Sequence, residues 1–178
     1  MSEDPEDISP GKSQQAGGLV VNWERLLLRE GCGPSVVAHA RAVTGLALRF
    51  SESPVVNRDL VRAGAMLHDI GRGTTHGIGH AQRGADRARA LGLDPSIVSI
   101  IERHIGAGMT ADECSLERLI PRDCIPLTIE EKIVANADNL VQGDQPGAIE
   151  GTLAAGIRLK RRIRRRICRL YLEMESLR

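Results

Sequence analysis

The sequence predicts an all-α fold, a helical bundle closed around an internal polar site, and three observations carry that expectation. Apolar residues recur at intervals of three and four along successive segments, and no segment shows the period-two alternation of a strand. Start and stop signals bracket these segments, with Asn57, Asp94-Pro95 and the Thr128/Glu131 pair at starts and glycines at ends. All five histidines, His39, His68, His76, His80 and His104, lie in one stretch, in apolar or glycine-rich surroundings.

Residues 1–18 are acidic and rich in Gly, Gln and Pro, with no apolar period, and read as a disordered leader. From Leu19 or Val20 a first helix follows through Val20, Trp23, Leu26 and Leu27 until Gly31 and Gly33 stop it. Ser35 can cap a second helix to about Phe50, with Val36, His39, Ala40, Val43, Leu46, Ala47 and Phe50 on one face. His39 therefore points inward. A lone inward histidine is usually a hydrogen-bonded core residue, so the weight of this one depends on its company.

Asn57 can cap a third helix running through Leu60, Ala63, Gly64, Leu67 and Ile70. Gly64 and Ala65 are small where a neighbouring helix must come close, and Gly71 and Gly73 end the run just after His68-Asp69. His80 opens a fourth helix that closes at Leu91-Gly92. Asp94 and Pro95 supply the cap and first turn of a fifth to about Ile105, on which Ile97, Ile101 and His104 share a face. Residues 107–127 are the least regular stretch, with a short helix near 112–119.

Thr128 with Glu131 three residues later forms a capping box for the next helix, where Val134, Asp138 and Val141 follow at helical spacing. A carboxylate on that apolar stripe is costly unless a cation meets it. A final helix is expected from Gly147 or Ala148 towards the C-terminus. Its apolar seam, Ile163, Ile167, Leu170, Met174 and Leu177, is flanked by six arginines and needs a covering surface, the domain itself or a second copy in a homodimer. The expected division is thus a leader over 1–18, a domain over 19–147 and a basic helix over 148–178.

The 178 residues suffice for one domain with a core, and 42% hydrophobic with 26% charged residues is ordinary for a globular chain. Aromatic residues make up only 2%, Trp23, Phe50 and Tyr171, which argues against an aromatic stacking platform for single-stranded nucleic acid. Cys32, Cys114, Cys124 and Cys168 form no Cys-x-x-Cys pair and read as reduced thiols. With no signal peptide, and no apolar run near the roughly 18 residues of a membrane span, a cytoplasmic protein is expected. The net charge of +1 conceals an asymmetry: residues 157–178 hold nine Lys and Arg against two Glu, and the rest of the chain holds fifteen against twenty-one acidic residues.

The order His39, His68-Asp69, His80, His104, Asp138 assembles four imidazoles and two carboxylates, a set suited to one or two divalent ions such as Mn, Fe, Co, Ni or Zn. With the flanks HDIGR at 68–72, HAQRGADRARALG at 80–92 and EEKIVANADNL at 130–140, it resembles the HD-domain superfamily of metal-dependent phosphohydrolases. The likeness is to the HDIG-type variant with six ligands and room for two metals, in particular to small archaeal proteins of that type, and runs from about Val36 to about Gly147. It implies an HD-domain helical bundle around a metal site. It also implies that His39, His68, Asp69 and Asp138 hold one ion and that Asp69 bridges to a second completed by His80 and His104. The implied activity is phosphomonoesterase or phosphodiesterase action on a nucleotide-like substrate.

Arg72 follows the His-Asp-Ile-Gly turn and is a candidate for pairing with substrate phosphate, which its planar fork suits. A solvated loop arginine fits as well. His76 could protonate a leaving oxygen, or be a plain loop residue. After His104 the sequence reads Gly106-Ala107-Gly108-Met109, without the Glu-x-x-Asp-Gly-x-Gly-Tyr-Pro stretch of the cyclic-dinucleotide branch. That leaves a mononucleotide, a dinucleotide or a short phosphodiester as the expected substrate. Two other classes stay open: a di-iron oxygenase with the same ligands, and an RNA-associated binding module that uses the arginine-rich end. For that end, a solvated face or an oligomer seam is the ordinary alternative.

Overall fold

The structure, a computed structural model, describes residues 22–177. The expected leader and the start of the first helix lie outside them.

Helix α1 spans Trp23–Arg29, capped by the Asn22 side chain, which accepts from the Arg25 amide. Helix α2 spans Pro34–Arg49, and here the expected Ser35 cap gives way to Gly33, with Pro34 in the first turn, where a missing N–H costs nothing. Helix α3, Arg58–Leu67, starts on the Asn57 cap. It stops short of Ile70, and a 3₁₀ turn over Ile70–Gly73 redirects the chain. A Cβ at Gly71 would run into the carbonyl of His80, so glycine is needed where this turn packs on the next helix.

Helices α4, His80–Ala90, and α5, Pro95–Arg103, begin where the sequence places them, the second on the Asp94 side chain. Helix α6, Ala111–Leu116, carries a capping box between Thr110 and Glu113. Helix α7, Ile129–Leu140, carries the expected one between Thr128 and Glu131. Two features depart from expectation. An antiparallel hairpin of β1, Val141–Gln142, and β2, Gln145–Pro146, follows α7 and turns at Gly143 with φ +63°. The single final helix is two, α8 over Ile149–Ala155 and α9 over Arg161–Glu175, divided by a turn in which the Leu159 amide donates to the Gly156 carbonyl.

The core has two clusters. One joins Val43, Leu46 and Ala47 of α2 and Val61 of α3 to Ile133, Val134 and Ala137 of α7. Ile167, Leu170 and the fully buried Met174 of α9 belong to the same cluster, so three seam residues are covered by this chain's own helices, while Leu177 is exposed. The other cluster joins Leu27, Leu67, Ile70, Ala85, Ile97 and Ile101. Between them Gly64 lets α3 meet α5 closely, since a Cβ there would lie 2.5 Å from the Ile100 side chain.

The arginines of α9 find a partner outside their own segment. Buried Glu113 of α6 takes Arg162 at 3.1 Å and Arg166 at 2.7 Å, which ties α9 to the body. Arg158, Lys160, Arg161 and Arg165 have no acidic partner among the described residues. No helix among the described residues is long and apolar enough to cross a membrane.

Candidate metal centre

Five elements deliver six side chains to one point. His39 comes from the inward face of α2, His68 caps the C-terminus of α3 with Asp69 beside it, His80 starts α4, His104 caps α5, and Asp138 lies in the last turn of α7. Helix ends suit this purpose because their last carbonyls lack helical partners. His68 Nδ1 takes the Ala65 carbonyl at 2.7 Å and His104 Nδ1 that of Ile101 at 2.8 Å, each three residues back. His80 Nδ1 meets the Gly77 carbonyl at 2.9 Å, and His39 Nδ1 meets that of Gly143, in the hairpin turn, at 2.6 Å.

A carbonyl only accepts, so each Nδ1 must carry a proton, and each ring, once neutral, turns an Nε2 lone pair into the site. These four nitrogens face two carboxylates. His39 Nε2 is 3.0 Å from Asp138 Oδ1, and His68 Nε2 lies 3.4 Å from the same oxygen and 3.7 Å from Asp69 Oδ2. His80 Nε2 is 3.0 Å from Asp69 Oδ1 and 3.0 Å from His104 Nε2. His68 and His104 are wholly buried, whereas the side chains of His39 and Asp138 are 18% and 21% exposed, so the site opens on their side.

The electrostatics show the same need for positive charge. Burial works against an imidazolium at His68, yet the carboxylates of Asp69 and Asp138 outweigh it and push the group up to about 9. Burial and the His68 charge bring His104 down to about 4. Burial raises the carboxyls of Asp69 and Asp138, but the surrounding imidazoles hold both well below the usual carboxylate range. The donor set fits a divalent transition metal. Buried His68 Nε2 has no hydrogen-bond partner, and His80 and His104 set lone pair against lone pair unless a cation or a proton intervenes. Two of the triads that could hold an ion, His39/His68/Asp69 and Asp69/His80/His104, share Asp69, with the ligand atoms of each triad within 4.8 Å of one another; His68/His104/Asp138 is a third.

Arg72 adjoins the centre. Its Nε donates to both Asp69 oxygens at 3.0 Å and its Nη1 to the His76 carbonyl at 3.1 Å. The His76 side chain is exposed on the loop, and only its carbonyl is tied in. Three supporting groups escaped the sequence reading. Gly143 fixes the His39 ring, Asn139 donates to the Gly106 carbonyl at 2.7 Å, and the Cys32 thiol donates to the Ile70 carbonyl at 3.5 Å behind the Asp69 turn. Gly143-Asp144 between Gln142 and Gln145 was a legible hairpin turn. Nothing in the sequence marked the other two.

Fold and site together define an all-α protein with a histidine–aspartate centre that could hold a metal ion. The HD-domain family matches residues 36–142, and the chain belongs to that family. It is 43% identical over 132 residues to the uncharacterized protein MJ0778 of Methanocaldococcus jannaschii, covering 71% of this chain and 78% of that one. It is 45% identical over 120 residues to the tRNA (cytidine(56)-2′-O)-methyltransferase of Thermoplasma volcanium, which covers 67% of this chain and only 36% of that enzyme. Ribonuclease Y of Treponema denticola is 29% identical over 131 residues, 72% of this chain and 22% of that protein. In fold the chain resembles the HD domain of the L. monocytogenes phosphodiesterase PgpH, with a TM-score of 0.55 at 16% identity over 88% of this chain and 97% of that one.

Proposed function

We propose that the protein is a metal-dependent phosphohydrolase that cleaves a phosphomonoester or phosphodiester bond of a nucleotide-like substrate at a two-ion site. The observation that carries this reading is the convergence of four Nε2 atoms on two carboxylates, with Asp69 shared by two of the three triads that could hold an ion. His39, His68, Asp69 and Asp138 would hold one ion, and Asp69, His80 and His104 the other. Bound ions supply Lewis acidity towards phosphoryl oxygens and lower the pKa of a water towards neutrality.

The chain's own residues then orient and exclude. The four backbone carbonyls hold the imidazoles in one tautomer, and Arg72 fixes the Asp69 carboxylate through both oxygens. The Arg72 side chain is 30% exposed, which leaves its outer nitrogen for a substrate phosphate. His76, on the exposed lip of the same loop, is the group to protonate a leaving oxygen. The names of two relatives, a tRNA methyltransferase and a ribonuclease, favour a substrate drawn from RNA.

The test is elemental analysis of the purified protein, followed by a panel of phosphomonoesters, nucleotides and short oligoribonucleotides with each metal found, under anaerobic conditions. Turnover without oxygen is expected, with Arg72→Ala raising KM and His76→Ala lowering kcat at unchanged metal content. Absence of turnover with every metal, or turnover that requires oxygen, overturns the reading.

A further inference from the structure

A cavity of about 270 Å³ lies between α6 and the start of α9, lined among others by Ile78, Ile105, Met109, Leu116, Leu159 and Ile163. Its wall is built from the segments that end in ligands: Ile105 directly follows His104, and Ile78 stands two residues before His80. Consecutive Cα atoms are about 3.8 Å apart, so this wall lies within roughly 8 Å of two ligand residues along the backbone. The mouth is open to solvent and mainly apolar, with Leu116 64%, Leu159 42% and Ile78 40% exposed, and the exposed Glu117 also lines it. Arg158 and Lys160 also line it, and neither has an acidic partner among the described residues.

We infer that this cavity seats one base of a single-stranded oligonucleotide whose two flanking phosphates meet Arg158 and Lys160 at its rim. The inference rests on the nucleotide-like substrate of the proposed function and names its class. An apolar chamber beside unpaired cations is complementary to a molecule that joins an apolar ring to a phosphate. The volume falls just below the roughly 300–1,000 Å³ of pockets that enclose drug-sized ligands, enough for one base and too little for two nucleotides. Arg158 and Lys160 stand at the rim as two separate unpartnered cations, one for each phosphate that flanks a base within a strand. No aromatic residue lines the chamber, so the base is held by aliphatic contact and not by the ring stacking of common single-strand binders.

The test is fluorescence anisotropy of the metal-loaded full chain with a labelled RNA hexa-adenylate and with an abasic hexamer of equal charge. Binding is read at first mixing, and product is read separately by gel from the same samples. At low salt the wild type is expected to prefer the adenylate at least tenfold. Leu116→Ser with Leu159→Ser should bring the two probes within twofold at unchanged melting temperature. Arg158→Gln with Lys160→Gln should keep the base preference and flatten the salt dependence by about 1.4 in logarithmic slope, about 0.7 per lost contact. No binding at low salt, equal binding of both probes by the wild type, or a base preference that survives Leu116→Ser with Leu159→Ser overturns the inference. Failure of the hydrolase reading appears instead as absence of product with adenylate binding intact.

Discussion

His80 Nε2 stands 3.0 Å from His104 Nε2 although both rings give their Nδ1 protons to backbone carbonyls. Two neutral rings so held would set lone pair against lone pair. The contact therefore marks a place for a cation, and Asp69 Oδ1, 3.0 Å from His80 Nε2 and 3.8 Å from His104 Nε2, supplies the negative charge to hold it. His80→Ala and His104→Ala should each lower metal content towards one ion per chain, while His39→Ala disturbs the other position. Elemental analysis decides. Equal and complete loss in all three variants would point to a single shared site.

Asp69 would be the hinge of the proposed two-ion arrangement, since it faces His68, His80 and His104 and is clamped by Arg72. Asp69→Ala should remove most of the bound metal. It also leaves Arg72 without its carboxylate and buried His68 with Asp138 alone, so a loss of about 1–3 kcal/mol in stability is expected as well. A variant that retains full metal content by mass spectrometry under native conditions would show that Asp69 is not shared.

The metal-free centre stores a proton. His68 is pushed up to about 9 by Asp69 and Asp138 against the penalty of burial, so at pH 7 it is charged, and a metal can take its Nε2 only by displacing that proton. Because the folded value lies above the unfolded one near 6.5, the charged ring stabilises the metal-free fold fully below about pH 6.5, and this is lost as pH rises through about 9. Titration calorimetry at pH 7 in buffers of different ionisation enthalpy should show proton release on metal binding. An observed enthalpy independent of buffer would mean that His68 is already neutral.

How much of this was legible in the sequence depended on whether the signal was local. Asn57, Asp94 and the Thr128/Glu131 box are caps read within four residues, and each starts its helix where expected. The helical face of α2 likewise aimed His39 inward. The hairpin after α7 has strands of two residues each, too short for any alternation to register. The break between α8 and α9 falls at Gly156, where apolar residues continue on both sides and hide it. Long-range pairings were the least legible. Nothing near Glu113 announces that its carboxylate will meet Arg162 and Arg166 some fifty residues on.

That pairing separates the arginines of α9 into two kinds. The Glu113 side chain is 6% exposed, and burial alone would raise its pKa. The hydrogen bond from Arg166 outweighs that together with the Thr110 amide and the charge of Arg162, and the carboxyl is held below its ordinary value. A depressed folded value means the stabilisation is complete above the unfolded value of about 4.3 and is lost as pH falls through the folded one. Glu113→Gln should therefore cost stability at pH 7 and remove part of the acid sensitivity. Breaking a fully buried pair costs about 3–5 kcal/mol. Here Arg162 is 57% exposed and can be hydrated when released, so about 1–3 kcal/mol is expected, or roughly 3–9 °C in melting temperature. Arg161→Gln with Arg165→Gln, on the unpaired side of the helix, should leave the melting temperature within about 1 °C, because exposed charges without partners contribute little to stability. If thermal denaturation instead shows equal losses for both changes, the Glu113 clamp is not what holds α9 to the body, and the seam of Ile167, Leu170 and Met174 does so alone.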